Sequence, residues 1–527
     1  MRDHVVAVDV GTGSARAGVF DASGRLLAKA EHPIVMNRPR ENHAEHDSED
    51  IWSAACTAVR RAMDQSGIAA ASVGAIGFDA TCSLVVRDVE GRQISVSTSG
   101  EQRFDTIVWL DHRALKEADF CTATEHRVLE HSGHVMSPEM EMPKLMWLKK
   151  KLPATWEKTG YFFDLADFMT WKSTGSTARS RCTLTAKWNY LAHLEKGWQQ
   201  DFLQRIGLDD LQARGGLPDE TVPVGGSIGR LTADAAEALG LTTECHVSAG
   251  MIDAYAGALG ALGGYAADPV TRELKLALIA GTSSCIVAFS QECKPSHGMW
   301  GPYYEVVFPQ SWLVEAGQSA TGALLDHIVR MHAAGGEPTA ALHQKIVARI
   351  AELRAEEGNA FGERIFVLPD FHGNRSPLAD PHAVGVISGL TLDTSFDGLC
   401  ALYWRSAVAI ALGIRHILET MKEYGQVPDT LHIAGGHVKN PVLMELYSDA
   451  TGCKVVVPKM NEAVLLGTAI AASVACGLHE NLAAAGEAMY PGGDERLPDK
   501  AKQALYDRDY RRLLAMHRHR AELEAMF

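Results

Sequence analysis

Two short segments carry the residue types that grip phosphate: Asp9-Val10-Gly11-Thr12-Gly13-Ser14 near the start and Gly281-Thr282-Ser283-Ser284 near the middle. Each turn follows an apolar run and leads into another, Arg16-Ala17-Gly18-Val19-Phe20 after the first and Cys285-Ile286-Val287-Ala288-Phe289 after the second. The pattern predicts a hairpin between antiparallel strands. In such a turn the backbone N–H groups and the hydroxyls of Thr12, Ser14, Thr282, Ser283 and Ser284 can face phosphate oxygens from two sides. Glycine leaves no side chain to hold the anion away. A dinucleotide loop is excluded, because it needs G-x-G-x-x-G opening a helix and here Gly11, Gly13 and Gly18 lead into a strand. A Walker A loop is excluded by the lack of any Gly-Lys pair.

Asp9 sits inside an otherwise apolar strand, where a carboxylate without a partner is costly. With a formal net charge of −15, a chain that binds polyphosphate must neutralise it locally, so Mg²⁺ is required and Asp9 is its candidate ligand, acting through water. The simpler alternative is a turn-forming Asp before glycine.

The elements that position these turns repeat. Strands are predicted at 5–10, 15–20 and 26–31, followed by a helix capped at Asp47-Ser48-Glu49-Asp50 and running to Gly67, then a strand from Val73 to Phe78. The second half offers strands at 276–280, 285–289, 303–307 and 312–315 and a helix from Thr321. An amphipathic helix from Thr339 to Glu357, a helix from Leu399 to Tyr424 and a strand from Thr430 to Ala434 ending at Gly435-Gly436 come next. A helix at 441–451, a strand at 454–457 and a helix at 463–476 complete it. The Gly- and Ala-rich stretch 259–273 divides the copies. The expected architecture is α/β, with two related lobes, 1–260 and 261–527, around a central cleft that holds nucleotide.

Composition narrows the function classes. At 46% hydrophobic and 22% charged residues the chain reads as globular, and 527 residues imply two cores. The acidic balance argues against a nucleic-acid partner. The cluster His517-Arg518-His519-Arg520 reads as a solvated helix face. The ten cysteines are scattered without a C-x-x-C pair, and those in apolar runs (Cys56, Cys285, Cys400, Cys476) read as small buried hydrophobes, which fits a reducing cytoplasm. Neither a signal-peptide core nor an apolar run of membrane-spanning length is expected, so no membrane partner is expected. The histidines at 43, 46, 126, 131 and 134 form no zinc motif, and Asn42-His43-Ala44-Glu45-His46 reads as an exposed loop.

Eight motifs in order resemble the FGGY family of carbohydrate kinases over nearly the whole chain. They are the first turn, Asp79-Ala80-Thr81-Cys82-Ser83, Trp109-Leu110-Asp111-His112-Arg113, Gly250-Met251-Ile252-Asp253-Ala254, the second turn, Glu315-Ala316-Gly317-Gln318-Ser319, Asp370 to Pro377, and Gly435-Gly436 with Lys439-Asn440-Pro441. The resemblance implies two ribonuclease-H-like lobes of the actin and hexokinase type, with ATP and Mg²⁺. It places the catalytic aspartate at Asp253, between the strand pattern His246 to Ala249 and the helix Ala254 to Leu262. The simpler reading of Asp253 is a helix N-cap; the two roles are compatible, since a helix N-terminus keeps a carboxylate ionised to accept a hydroxyl proton.

For the sugar the resemblance points to Ala80, Thr81, Lys187, Asp253 and Glu315; a surface lysine lying along Trp188 is the alternative for Lys187. For ATP it points to Gly11, Thr12, Gly13, Ser14, Gly281, Thr282, Ser283, Gly435, Gly436 and Asn440. Many members carry a third glycine where this chain has His437, which bears on the adenine contacts. The Asp79 and Asp370 motifs look most like the pentulose kinases acting on D-ribulose. The implied reaction phosphorylates D-ribulose to the 5-phosphate, with L-ribulose, D-xylulose or ribitol as alternatives within the class. An actin-like ATP-dependent switch without sugar chemistry is the alternative of another class. A homodimer is compatible with this reading.

Overall fold

The computed structural model describes residues 2–358 and 361–526. His4–Val10 (β1), Ser14–Asp21 (β2) and Leu26–Pro33 (β3) form the expected antiparallel meander. Ser48–Ser66 (α1) then crosses back to Val73–Ala80 (β4), which runs parallel to β1. The Asp47 carboxylate accepts the Glu49 and Asp50 N–H groups at the start of α1, and Gly67 ends it at φ 68. Every residue of β4 and all but the first of β1 are buried, as central strands covered on both faces must be.

A short helix, Arg181–Lys187 (α2), precedes Ser227–Arg230 (β5), His246–Ser248 (β6) and Met251–Ile252 (β7). They complete a seven-stranded sheet of order β3-β2-β1-β4-β6-β5, with β7 beside the end of β4. Asp253–Leu262 (α3) leaves directly from β7.

The second lobe repeats the scheme. Lys275–Ala280 (β8), Ser284–Ser290 (β9), Trp300–Tyr304 (β10) and Trp312–Gln318 (β11) are followed by Gly322–Met331 (α4), Ala340–Glu357 (α5) and Phe396–Glu423 (α6). Thr430–Ala434 (β12), Pro441–Thr451 (α7), Lys454–Pro458 (β13), Ala463–Ala475 (α8), Gly493–Arg496 (β14) and Gln503–Glu524 (α9) follow. The strand order is β10-β11-β9-β8-β12-β13-β14. The strand expected at 303–307 is β10, three residues earlier, and it lies at the sheet edge, where the meander's third place is taken by β11.

The lobes exchange helices. α3 follows the first sheet in sequence and packs on β8 and β12, whereas α8 follows β13 of the second sheet and packs on β1 and β4. The two helices meet backbone to backbone: a Cβ on Gly260 would stand 1.9 Å from the Ala463 carbonyl oxygen, and one on Gly467 1.8 Å from that of Ala256.

Three local expectations and one alternative reading are corrected. Ala44, Glu45 and His46 are buried, because Glu45–His46 pairs with Thr106–Ile107 and Glu45 accepts Arg113 Nη2 at 3.0 Å. Arg520 is likewise buried in an ion pair, while Arg518 and His519 remain exposed. Lys187 is buried and paired, not spread over the surface. Finally, α6 is long and apolar enough to cross a membrane by length and composition, but 78% of its apolar window is buried in the second lobe's core.

Candidate active site

Strand register brings three carboxylates to one place. Asp9 stands opposite Asp79 across β1 and β4, and Asp79 stands opposite Met251 of β7, two residues before Asp253. Asp9 and Asp79 are buried; Asp253 is half-buried, so its carboxyl keeps access to the cleft. Ile252 takes the cap position of α3, and Asp253 is the helix's first residue, its Oδ1 accepting the Ala254 N–H at 2.7 Å. Desolvation, then repulsion from Asp9, raise Asp253 to about 7 against the Ala254 N–H and Lys187, so its carboxyl stands between its two forms near neutral pH instead of being held fully ionised. Desolvation carries Asp9 to about 6 although Arg16 Nη2 lies 2.6 Å from its Oδ2. Asp79 is raised further by burial and by Asp9, despite the Thr468 hydroxyl that donates to its Oδ2 at 2.5 Å. Arg16 offsets only part of the cost of ionising three neighbouring carboxyls, so a further cation would favour their charged forms.

The residues fit a divalent cation carried by a polyphosphate. Asp9 Oδ1 and Asp79 Oδ1 are buried without a hydrogen-bond partner. Among the described residues no group of three or more His, Cys, Asp or Glu could hold a metal ion alone. That suits Mg²⁺, which takes one or two carboxylates and completes its shell with water and phosphate.

Both turns are braced and open. Gly11 N–H donates to the Ser14 carbonyl at 3.0 Å and Gly281 N–H to that of Ser283 at 2.8 Å. The start of α4 supports the second turn, with Thr321 and Gly322 N–H groups donating to the Thr282 and Gly281 carbonyls, both at 3.0 Å. A Cβ on Gly13, Gly281 or Gly436 would meet nothing within 4 Å, and none of the three has positive φ. At these three positions neither packing against the protein nor a positive φ requires glycine. Two hydroxyls are already engaged: Thr12 Oγ1 accepts Trp109 Nε1 at 2.9 Å, and Ser284 Oγ is 2.9 Å from Thr321 Oγ1.

A cavity of about 450 Å³ adjoins the turn after β12, lined by Gly436, Asn440, Pro441, Tyr403, Asp326 and His343. Gly435 differs from Gly436 in having φ 94, where a Cβ would stand 2.5 Å from the Ala280 carbonyl oxygen. Asn440 caps α7 through Val442 N–H at 3.1 Å. His437 buries its ring beside Tyr447, Nδ1 2.8 Å from the phenol oxygen, and burial lowers it to about 4, so it is neutral. His343 of α5 bridges Tyr403 OH (2.9 Å) and Asp326 Oδ1 (3.0 Å), so the amphipathic helix also walls this cavity.

Among the residues that the resemblance assigns to the sugar, Ala80 ends β4 and the Thr81 hydroxyl lies 3.1 Å from Ser83 Oγ, which accepts the Trp109 N–H at 3.1 Å. Lys187, at the end of α2, meets Glu315 of β11 across the lobes at 3.1 Å. Glu315 also accepts Tyr255 OH at 2.7 Å and pairs with Arg375. Burial raises the Glu315 carboxyl, but Lys187, Arg375 and Tyr255 outweigh it and hold it down to about 2. Lys187 and Arg375 also lie over the Trp300 ring, at 4.4 and 4.0 Å from its centroid. Lys187 and Glu315 thus satisfy each other beside Asp253.

Two family models divide the chain: the N-terminal domain of the FGGY family of carbohydrate kinases matches residues 4–260 and the C-terminal domain residues 276–476. The chain belongs to the FGGY family of carbohydrate kinases. It is 41% identical to the FGGY carbohydrate kinase domain-containing protein of Homo sapiens, over 99% of this chain and 98% of that protein. It is 37% identical to a D-ribulokinase of Saccharomyces cerevisiae, over 89% of this chain and 71% of that protein. The fold matches a xylulose kinase from Rhodospirillum rubrum with TM-score 0.80 at 22% identity, covering 99% of both chains. The chain is a sugar kinase with the family's two-lobed α/β fold, and FGGY kinases use ATP.

In this FGGY kinase, Asp79, Arg16, Tyr255, Trp300 and Arg375 stand at the site beside the residues singled out from sequence. Arg16 was legible as a cation opposite Asp9 once β1 and β2 were paired. Tyr255 and Trp300 carry no local signal, because each joins the site through packing between distant segments.

Proposed function

We propose that this kinase transfers the γ-phosphate of ATP to the O5 hydroxyl of D-ribulose, giving D-ribulose 5-phosphate and ADP. The observation that carries the reading is the 37% identity to a D-ribulokinase along 89% of this chain, in which strand register sets Asp253 just past the end of β4, beside the strand that leads into the first glycine turn. Asp253 takes the O5 proton as O5 bonds to the γ-phosphorus and the bond to the β-phosphate oxygen breaks. Its raised pKa suits the task, since a base acting near neutral pH works best with a pKa close to 7. The open backbone before Gly13 and Gly281 receives the phosphates, and the cavity beside Asn440 receives adenosine. Mg²⁺, when bound, neutralises charge on the phosphates, and Asp9 would hold it through water with Asp79 close by. All ten cysteines are unpaired, which supports the cytoplasm as the place of action.

Competition among D-ribulose, L-ribulose, D-xylulose and ribitol, read as kcat/KM ratios, tests the assignment. D-ribulose is expected to lead by at least about tenfold. A higher ratio for another of the four reassigns the substrate, and ADP release unstimulated by any ketose or polyol removes the reading altogether.

A further inference from the structure

The loop 370–384 brings Arg375 to Glu315, yet its two ends are held by an element outside the residues that the family models match. Asp370, 5% exposed, pairs through Oδ2 with Arg520 Nη1 of α9, and the same nitrogen donates to the Val384 carbonyl at 3.2 Å. The other oxygen, Asp370 Oδ1, accepts Asn374 Nδ2 at 2.9 Å. Asn374 exchanges backbone hydrogen bonds with Asp380, both 2.8 Å, and its Oδ1 accepts the Leu378 N–H at 3.0 Å. The next residue is Arg375. A chain of direct contacts therefore runs from α9 to Glu315, and from Glu315 to Lys187 beside Asp253.

Arg520 is the cation in this contact. His416 and His517 flank Asp370 with ring centroids 5.3 Å apart, but burial lowers both to about 4 and leaves them neutral near pH 7. The docking of α9 has its own supports: Arg405 of α6 pairs with Asp509 at 2.8 Å, and Tyr506 and Leu513 are buried in the core. Anchoring of the helix and clamping of the loop are thus separate contacts on one element.

We infer that Arg520 is a positioning residue for phosphoryl transfer, clamping Asp370 and Val384 so that Arg375 meets Glu315 at the sugar side of the cleft. The inference rests on the ketopentose-kinase reading for its kinetic consequence, but its structural consequence can be read without it. An uncompensated Asp370 would be a buried charge without its cation, and the loop would move to hydrate it.

The test compares Arg520→Met, Arg520→Lys and Arg405→Met in the full chain, by steady-state kinetics and by hydrogen exchange over 370–384. Arg520→Met is expected to raise KM for the ketopentose about tenfold, keep KM for ATP within about twofold, and speed exchange in the loop. Arg520→Lys, which keeps the charge, should recover most of the ketopentose affinity. Arg405→Met should lower the melting temperature and leave the ketopentose KM unchanged. Wild-type loop exchange in Arg520→Met overturns the clamp, and so does an equal rise in ketopentose KM in Arg405→Met, which would trace the effect to helix docking. If the wild type phosphorylates no ketopentose, the substrate reading fails, while loop exchange in Arg520→Met still decides the clamp.

Discussion

The two glycine turns stand on the same scaffold and differ in charge at three matched positions. In the first lobe Asp9 lies opposite Arg16 on one neighbouring strand and Asp79 on the other. In the second lobe the corresponding places are held by Ile279, Cys285 and Ala434. Ile279 packs against α3, where its Cδ1 would stand 2.9 Å from a Cβ on Gly257. Duplication thus provides two similar turns with different side chains beneath them. The first stands over ionisable groups, and the second over an uncharged bed beside the cavity at Asn440. Substitutions beside the first turn should strike the rate, and those at the second turn should strike nucleotide affinity.

The sharpest way to break this contrast is Asp253→Asn. We expect kcat to fall about 10³- to 10⁴-fold while ATP affinity, read by calorimetry, holds. Near-wild-type turnover would remove the base from the first lobe. The same variant carries a stability signature. The folded pKa of about 7 lies above the ordinary 3.8, so the folded state binds more protons between those values, and stability falls as pH rises through that window. The melting temperature of Asp253→Asn relative to wild type should therefore climb from pH 5 to pH 8.

Next in size is Lys187→Met, which breaks the buried tie between the lobes. A loss of about 3 kcal/mol is expected in denaturant unfolding, because Glu315 keeps Arg375 and Tyr255 but loses one cation. An unchanged midpoint would mean that the pair contributes nothing to joining the lobes. A smaller effect should follow Gly281→Ala: KM for ATP up about tenfold, with stability unchanged, since the added Cβ meets no protein atom. Gly435→Ala should instead lower the melting temperature, because its φ of 94 and the Ala280 carbonyl both oppose a Cβ. If the two glycines respond alike, the distinction between ligand space and backbone geometry is lost. Smallest is the pH profile, in which kcat/KM for the ketopentose should drop about fivefold from pH 7 to pH 6 and level off above pH 8. A flat profile would detach the rate from Asp253.

Much of the fold was legible because strand alternation, capping residues and glycine turns act locally. The α1 cap at Asp47, its end at Gly67 and the repeated meander follow from neighbouring residues alone. Errors arose where a distant partner decides burial. Glu45 is drawn inside by Arg113, and Arg520 by Asp370, whereas a charged residue read by itself belongs at the surface. The same reason hid the pKa of Asp253: helix start and residue type favour ionisation, but desolvation and Asp9 come from the assembled sheet and raise it.

By itself, then, the order of residues determined the duplicated α/β plan, both glycine turns and the family, since each depends on short-range pattern. Only tertiary structure decided which carboxylates share one pocket, that Lys187 and Glu315 neutralise each other, and that a helix beyond the family's matched residues holds a loop at the cleft. Those outcomes depend on electrostatic energy between groups far apart in the sequence, which is set by distance and burial and exists only once the sheets and exchanged helices have closed around them.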